Sequence, residues 1–263
     1  MGRPGALPAL VLAGRVYGAN GKGLPYANLG VPGRNQGTVS RPDGSFRLAL
    51  KEVRPDDTVR VSLVGYQTLD LPLAQLTKGA SRGGLRLTLA EQTQALPEVV
   101  VHTDAAVVKV LGNPTESRFF SGGFGPNQLG AQIGIPVRAR RKPMRVEKVD
   151  FHVSYNAYDS LTLRLNVYRL ENGMPGPNLL RQNVLLRLGK QTGRFAFDLS
   201  GQDLVIREDV LVTLELLDGQ GTETRFFLSA GVFNGSTYYR RASQGTWRKV
   251  KGAGVGIQVT VRY

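Results

Sequence analysis

Apolar residues recur at every second position over much of the chain, with polar residues between them. Side chains of a β-strand point alternately to its two faces, so this period of two predicts half-buried strands. No apolar stripe with helical spacing has a similar length. The pattern therefore predicts an all-β protein built from sandwiches. The clearest runs are at 59–63, 85–89, 149–155, 161–167, 195–199, 210–216 and 255–261.

Short turn sequences separate these runs. Pro42-Asp43-Gly44, Glu171-Asn172-Gly173 and Asp218-Gly219 each combine a glycine with residues that favour tight turns. Gly44 can adopt the positive φ that a hairpin needs, and Asp43 can accept hydrogen bonds within its own turn. The spacing predicts consecutive strands joined by hairpins.

The regular alternation is lost between residues 103 and 145. A chain of 263 residues, of which 41% are hydrophobic, is long enough for two domains that each have a core. We therefore predict a first domain at 1–102, a linker at 103–118 and a second domain at 119–263. The second is expected to be a jelly-roll-like β-sandwich, larger than the first.

Three segments of the first domain follow one another in an informative order: Gly14–Asn28, Gly37–Phe46 and Val61–Tyr66. Together they resemble the carboxypeptidase-regulatory-like domain. The resemblance implies a seven-stranded, transthyretin-like sandwich, which is an accessory fold and not a peptidase. Such domains lie at the N-terminus of Bacteroidota outer-membrane receptors and of other envelope proteins.

Two further segments extend this resemblance. Leu96–Val101 is similar to the segment that follows this domain in TonB-dependent receptors, although the residues after it are too few for a receptor plug and barrel. Residues 119–263 resemble, in overall pattern only, a β-sandwich often attached to such domains in Bacteroidota proteins. The resemblance thus implies an accessory module of the cell envelope.

The sequence contains few residues that could support catalysis or bind a metal. There is no cysteine, which excludes disulfides, a thiol nucleophile and cysteine metal ligands. Neither His102 nor His152 is followed by the glutamate of a zinc carboxypeptidase motif. We expect no catalytic residue, no metal and no cofactor. One alternative makes Asp150 and His152, on the same face of one strand, a base with its orienting carboxylate.

The chain is strongly basic. It has 34 Lys and Arg against 20 Asp and Glu, a formal net charge of +14, and most of the excess lies after residue 105. A first cluster contains Arg138, Arg140, Arg141, Lys142 and Arg145. A second interleaves cations with aromatic rings and contains Tyr238, Tyr239, Arg240, Arg241, Trp247, Arg248, Lys249 and Lys251.

Basic and aromatic side chains together can hold an acidic sugar or a phosphate backbone, whereas a solvated loop and a hairpin with inward-packed rings are the structural alternative. The expected partners are an envelope protein or an acidic glycan. The alternative function is a carbohydrate-binding module that stacks sugars on Trp247, Tyr238 and Tyr239, or on Tyr155 and Tyr158. Nucleic acid is a less favoured partner, because no nucleic-acid-binding module is recognised.

The sequence has few features that indicate a cellular compartment. No run approaches the roughly 18 apolar residues of a membrane-spanning helix. The apolar run at 6–13 fits either the end of a secretory signal or a first strand. A periplasmic or outer-membrane-associated location is expected if an N-terminal signal is missing or truncated in this chain.

Overall fold

A computed structural model describes residues 9–80, 84–92, 107–126, 128–139 and 143–263. The chain divides into two compact units. The first unit comprises residues 1–92 together with the short segments 128–131 and 240–246. The second unit comprises residues 93–127, 132–239 and 247–263.

The first unit contains two β-sheets. One has the strand order β4-β1-β7, in which β1 and β7 are parallel, and the other has the antiparallel order β3-β2-β5-β6. The elements are β1 Leu10–Gly18, β2 Asn28–Gly30, β3 Gly37–Val39, β4 Ser45–Leu50, β5 Thr58–Ser62, β6 Leu69–Pro72, α1 Leu73–Ala80 and β7 Leu85–Leu89.

The core of the first unit follows the period-two pattern of the sequence. Along β4, Phe46, Leu48 and Leu50 are buried while the residues between them are exposed. The turn before β4 has the predicted chemistry, since Gly44 has a φ of 85° and Asp43 Oδ1 accepts the Ser45 N–H at 2.9 Å. The alternation and the turn together fix which face of β4 meets the core.

Helix α1 was not anticipated from the sequence. It has only eight residues, of which Leu73 and Leu76 are buried in the core of the first unit. Two turns with two buried leucines are too short to produce a recognisable helical stripe.

The second unit is built entirely from strands in its described residues. The strands are β8 Val108–Gly112, β9 Ser121–Phe124, β10 Gln132–Val137, β11 Met144–Asn156, β12 Ser160–Glu171, β13 Met174–Asn178, β14 Val184–Gly189, β15 Gly193–Asp198, β16 Val205–Ile206, β17 Val210–Gln220, β18 Phe226–Arg240, β19 Arg248–Val255 and β20 Ile257–Arg262. Strand β8 lies within the stretch predicted as a linker, and it pairs with β20.

Two sets of strands share the long strand β18. In the first set, β11 pairs with β15 and β16 on one side, and with β20 and residues 226–228 of β18 on the other. In the second set, β12 pairs with β17 on one side and with β13 and β14 on the other. Strand β17 also pairs with β10, and β10 is the neighbour of β18. The later part of β18 pairs with β19.

The predicted all-β class is confirmed. The Glu171-Asn172-Gly173 turn is also confirmed, because Asn172 and Gly173 have positive φ between β12 and β13. The turn predicted at Asp218-Gly219 is wrong: both residues lie within β17 and pair with β12. Strand β17 continues there because a register shift between Thr162 and Leu163 accommodates one additional residue. The jelly-roll connectivity of the second unit stays a prediction.

Candidate functional site

A groove of about 460 Å³ opens on the second unit, where the ends of several strands meet. Its walls come from β8, β10, β18, β19 and the turn between β12 and β13. We call it the β8–β19 groove. Its lining contains Leu111, Gly112, Asn113, Ile135, Pro136, Val137, Arg138, Leu170, Gly173, Asp209, Asn234, Gly235, Ser236, Tyr238 and Lys249.

Three charged side chains line this groove. Arg138 directly follows β10, and Lys249 lies on β19; both are exposed. Asp209 directly precedes β17, and its Oδ1 accepts the N–H of Ala139 at 3.1 Å. The groove therefore has two cations and a single carboxylate that is already engaged with the backbone. This balance favours an acidic ligand over a basic one.

Two asparagines fix one side of the groove. Asn113 Nδ2 donates to the carbonyl oxygen of Gly254 at 2.5 Å, and Asn234 Nδ2 donates to Asn113 Oδ1 at 2.7 Å. Asn113 is buried, although it lies in the predicted linker. Sequence reasoning missed both amides, because their partner strands are more than 100 residues apart along the chain.

Tyr238 is part of the groove, but its ring is not open for stacking. The side chain is buried, and its hydroxyl donates to the carbonyl oxygen of Gly173 at 3.0 Å. The Lys249 Nζ lies 4.9 Å from the centre of the Tyr238 ring, in a cation–π contact. Tyr238 therefore holds Lys249 in position at the groove, and does not offer the free aromatic face that the sequence suggested.

The structure brings together only part of the predicted site. Arg138 of the first cluster and Tyr238 and Lys249 of the second line the same groove. Trp247 is half-buried and packs edge-on against Tyr168, with ring centres 5.9 Å apart. Tyr239 is also half-buried and lies opposite Arg248 in the β18–β19 pairing.

The other predicted cations do not join this groove. Arg240 and Arg241 belong to the first unit. Arg140, Arg141 and Lys142 lie outside the described residues, as does His102. Of the second aromatic pair, Tyr158 is buried, while Tyr155 is partly exposed and its hydroxyl donates to Glu223 at 3.1 Å.

His152 has a different partner from the one considered in the sequence. Its Nδ1 and the Oγ of Ser229 are 2.8 Å apart in a hydrogen bond, whereas Asp150 forms an ion pair with Lys148 at 3.1 Å. Ser229 is fully buried, so its hydroxyl is not accessible to a substrate. The interaction of His152 with Ser229 therefore ties β11 to β18.

A carboxylate lies beyond His152. Glu116 Oε2 is 3.9 Å from His152 Nε2, and Glu116 Oε1 accepts a hydrogen bond from Arg194 at 2.5 Å. That hydrogen bond, together with the charge of Arg194, lowers the pKa of Glu116. Arg194 therefore favours the ionised form of Glu116.

The comparison with protein families concerns the first unit. The sequence model of the CarboxypepD_reg-like domain matches residues 12–101. This confirms the resemblance seen in the glycine-rich segments and the Asp-Gly turn, and CarboxypepD_reg-like domains are non-catalytic.

A curated relative shares the same part of the chain. The TonB-dependent receptor SusC of Bacteroides thetaiotaomicron is 33% identical over 92 residues, which are 35% of this chain and 8% of SusC. The chain thus spans less than a tenth of that receptor. The CarboxypepD_reg-like domain and this similarity fit an envelope-associated module.

Two solved structures that align over nearly the whole chain have low TM-scores. The VP2 subviral particle of infectious bursal disease virus has a TM-score of 0.30 and 9% identity, over 98% of this chain and 60% of that chain. The structure of the Gt strain of the same virus has a TM-score of 0.28 and 11% identity, over 97% of this chain and 58% of that chain. TM-scores this low carry no argument about fold or function.

No helix among the described residues has the length and apolarity needed to cross a membrane. Within the same ranges, no group of three or more His, Cys, Asp or Glu side chains is arranged to hold a metal ion.

Proposed function

We propose that this protein is a non-enzymatic interaction module of the bacterial cell envelope, periplasmic or associated with the outer membrane. The observation that carries the proposal is the CarboxypepD_reg-like domain at residues 12–101, which a TonB-dependent receptor shares at 33% identity. In this role the first unit is a rigid accessory sandwich, and the second unit supplies the surface that recognises a partner.

Co-purification from the native host tests this proposal. The tagged full-length protein is recovered from detergent-solubilised envelopes, and the proteins and glycans that accompany it are identified by mass spectrometry. We expect recovery in the envelope fraction with a reproducible envelope partner. Recovery confined to the cytosol, or recovery with nucleic acid alone, would contradict the proposal.

A second candidate function is the binding of an acidic glycan in the β8–β19 groove. Its volume of about 460 Å³ is in the range of small-ligand sites. Arg138 and Lys249 supply charge for carboxylate or sulfate groups, and the amide of Asn234, held in place by Asn113, supplies a hydrogen-bonding group beside them. The buried position of Tyr238 makes recognition polar and not dependent on ring stacking.

Calorimetric titration of the full-length protein tests the glycan site. We expect an oligogalacturonate to bind and a neutral galactan fragment not to bind. Arg138→Gln and Lys249→Gln should each weaken binding about ten-fold, the usual effect of removing one charged hydrogen bond. Lys190→Gln, an exposed lysine outside the groove lining, is the matched control and should leave the affinity unchanged. Equal binding of the neutral fragment, or equal loss in the control, would rule out this site.

A further inference from the structure

One aromatic side chain of the second unit projects almost completely into solvent. Phe233 is 97% exposed and lies in a bulge of β18. Val232 pairs with Ala253 and Ser236 pairs with Lys251, so three residues of β18, 233–235, lie opposite the single residue Gly252 of β19. The bulge pushes the intervening residues out of the sheet.

The bulge is a fixed structure and not a frayed strand end. Phe233 has a φ of 59°, a conformation that a bulky residue rarely adopts. The next residue, Asn234, donates through Nδ2 to Asn113 Oδ1 at 2.7 Å. The chain therefore maintains an unfavourable backbone conformation at a residue whose side chain makes almost no contact within the protein. Unfavourable backbone geometry of this kind is concentrated at functional positions.

A second exposed aromatic segment lies beside this bulge. The segment 113–120 runs along β18: Asn113 binds Asn234 at one end, and the carbonyl oxygen of Phe120 accepts the Ala230 N–H at 2.8 Å at the other. Phe119 is 93% exposed, and Phe120 and Val232 are also exposed. We call Phe119, Phe120, Val232 and Phe233 the aromatic ridge.

Cations outnumber carboxylates around the aromatic ridge. In the second unit, residues 230–239 and 247–255 contain Arg248, Lys249 and Lys251 and no Asp or Glu. Lys251 of β19 pairs with Ser236 at the end of the bulge, and Arg118 directly precedes Phe119; both cations are exposed. Glu116, the acidic residue of the neighbouring segment, is already paired with Arg194. The ridge therefore presents apolar rings beside the exposed cations Arg118 and Lys251.

We propose that the aromatic ridge inserts into the surface of an anionic lipid bilayer. Exposed phenylalanines enter the boundary between headgroups and acyl chains, while flanking lysines and arginines attract the lipid phosphates. A bilayer fits this surface because it accepts projecting rings without a complementary pocket and because its charge is opposite to that of the ridge. The proposal requires no ligand in the β8–β19 groove and no protein partner, although Asn113 and Asn234 belong to both the groove and the anchored bulge.

Vesicle co-sedimentation of the full-length protein tests the proposal. We expect binding to vesicles of mixed phosphatidylcholine and phosphatidylglycerol, and much weaker binding to phosphatidylcholine alone. Phe233→Asn should reduce partitioning about ten-fold, since one membrane-inserted aromatic ring is lost. Lys251→Gln should reduce partitioning about five-fold, and added salt should reduce the partitioning of the unchanged protein in the same way.

Phe233→Asn also separates membrane binding from folding. Asparagine adopts positive φ more readily than phenylalanine, so this variant should unfold at the same or a higher temperature while binding fewer vesicles. Leu185→Ser, at an exposed leucine on β14, is the matched apolar control, and Lys190→Gln is the matched charge control. Both should bind as the unchanged protein does.

Three outcomes would overturn the proposal. The first is no binding of the unchanged protein to anionic vesicles at low salt. The second is an equal loss of binding in Leu185→Ser and Phe233→Asn. The third is a dimer in light scattering that Phe233→Asn converts to a monomer, because a second copy of this chain would then cover the ridge.

Discussion

Arg164 and Glu215 form an ion pair that is almost completely removed from water. Their Nη2 and Oε2 atoms are 2.9 Å apart, and the side chains are 2% and 0% exposed. Asn166 also donates to Glu215 Oε2 at 2.8 Å, and Arg164 Nη1 donates to Asn183 at 3.1 Å. The pair joins β12 to β17 within a polar network, so neither charge is left uncompensated.

Breaking this pair should destabilise the second unit strongly. Glu215→Gln leaves the Arg164 charge buried without its carboxylate, and we expect a loss of about 3–5 kcal/mol in the free energy of unfolding. Urea denaturation followed by fluorescence of Trp247, the single tryptophan, measures this loss, since its ring packs on Tyr168 of β12.

Two further variants make that measurement specific. Replacing both partners together, Arg164→Met with Glu215→Leu, should recover most of the lost stability, because no buried charge remains. Glu223→Gln removes a half-exposed carboxylate that is paired with Arg225 and should cost less than about 1 kcal/mol. A loss of similar size in Glu215→Gln and Glu223→Gln would contradict the account.

The turn glycine that precedes β4, Gly44, should not tolerate a side chain. A Cβ at Gly44 would lie 2.6 Å from the carbonyl oxygen of Val16, and the residue has a φ of 85°. We expect Gly44→Ala to lose about 2–4 kcal/mol, from backbone conformation and steric overlap together. Gly21→Ala is the control: Gly21 has a φ of 76° but nothing within 4 Å, so about 1–2 kcal/mol is expected. Hydrogen exchange of the β1 and β4 amides measures the loss of stability in each variant. Equal losses in Gly44→Ala and Gly21→Ala would exclude the steric contribution.

Asp70 should titrate below its ordinary range. Hydrogen bonds from Arg60 at 2.8 and 2.7 Å, and the Arg60 charge, lower the pKa of Asp70 below its ordinary value of 3.8. A carboxyl with a lower pKa in the folded state stabilises that state above its unfolded pKa, and this contribution is lost as the pH falls through the folded pKa.

The magnitude of this contribution is small, under about 1 kcal/mol, because both side chains are more than one-third exposed. Carboxyl-carbon NMR of the full-length protein measures the titration directly. We expect a midpoint below 3.8 for Asp70, and a rise toward that value in Arg60→Gln. A midpoint unchanged by Arg60→Gln would show that the ion pair does not form in solution.

Ser229 should behave as a structural residue. Its hydroxyl is fully buried and shares a hydrogen bond with His152. Ser229→Ala should therefore lower the free energy of unfolding by about 1–2 kcal/mol. A fluorophosphonate probe, which labels accessible serine nucleophiles, should not label Ser229. Labelling that is lost in both Ser229→Ala and His152→Gln would instead reveal a reactive serine.

The sequence determined those features that depend on near neighbours in the chain. The period of two specified the strands, because strand geometry alone places alternate side chains on opposite faces. Gly44 and the Asn172-Gly173 turn were identifiable because positive φ restricts the choice of residue at a single position. The resemblance of the first domain to the CarboxypepD_reg-like domain followed from the order of such local segments, and the family match at residues 12–101 confirms it.

Tertiary structure determined which residues lie opposite one another on neighbouring strands. Ser229 is 77 positions from His152, and Asn113 is 121 positions from Asn234, so no local pattern links the members of either pair. The groove and the aromatic ridge depend on the register of β18 against β19 and on the path of residues 113–120. Alternation specifies which face a side chain occupies, whereas pairing between distant strands specifies its neighbours, and that pairing is a property of the folded chain.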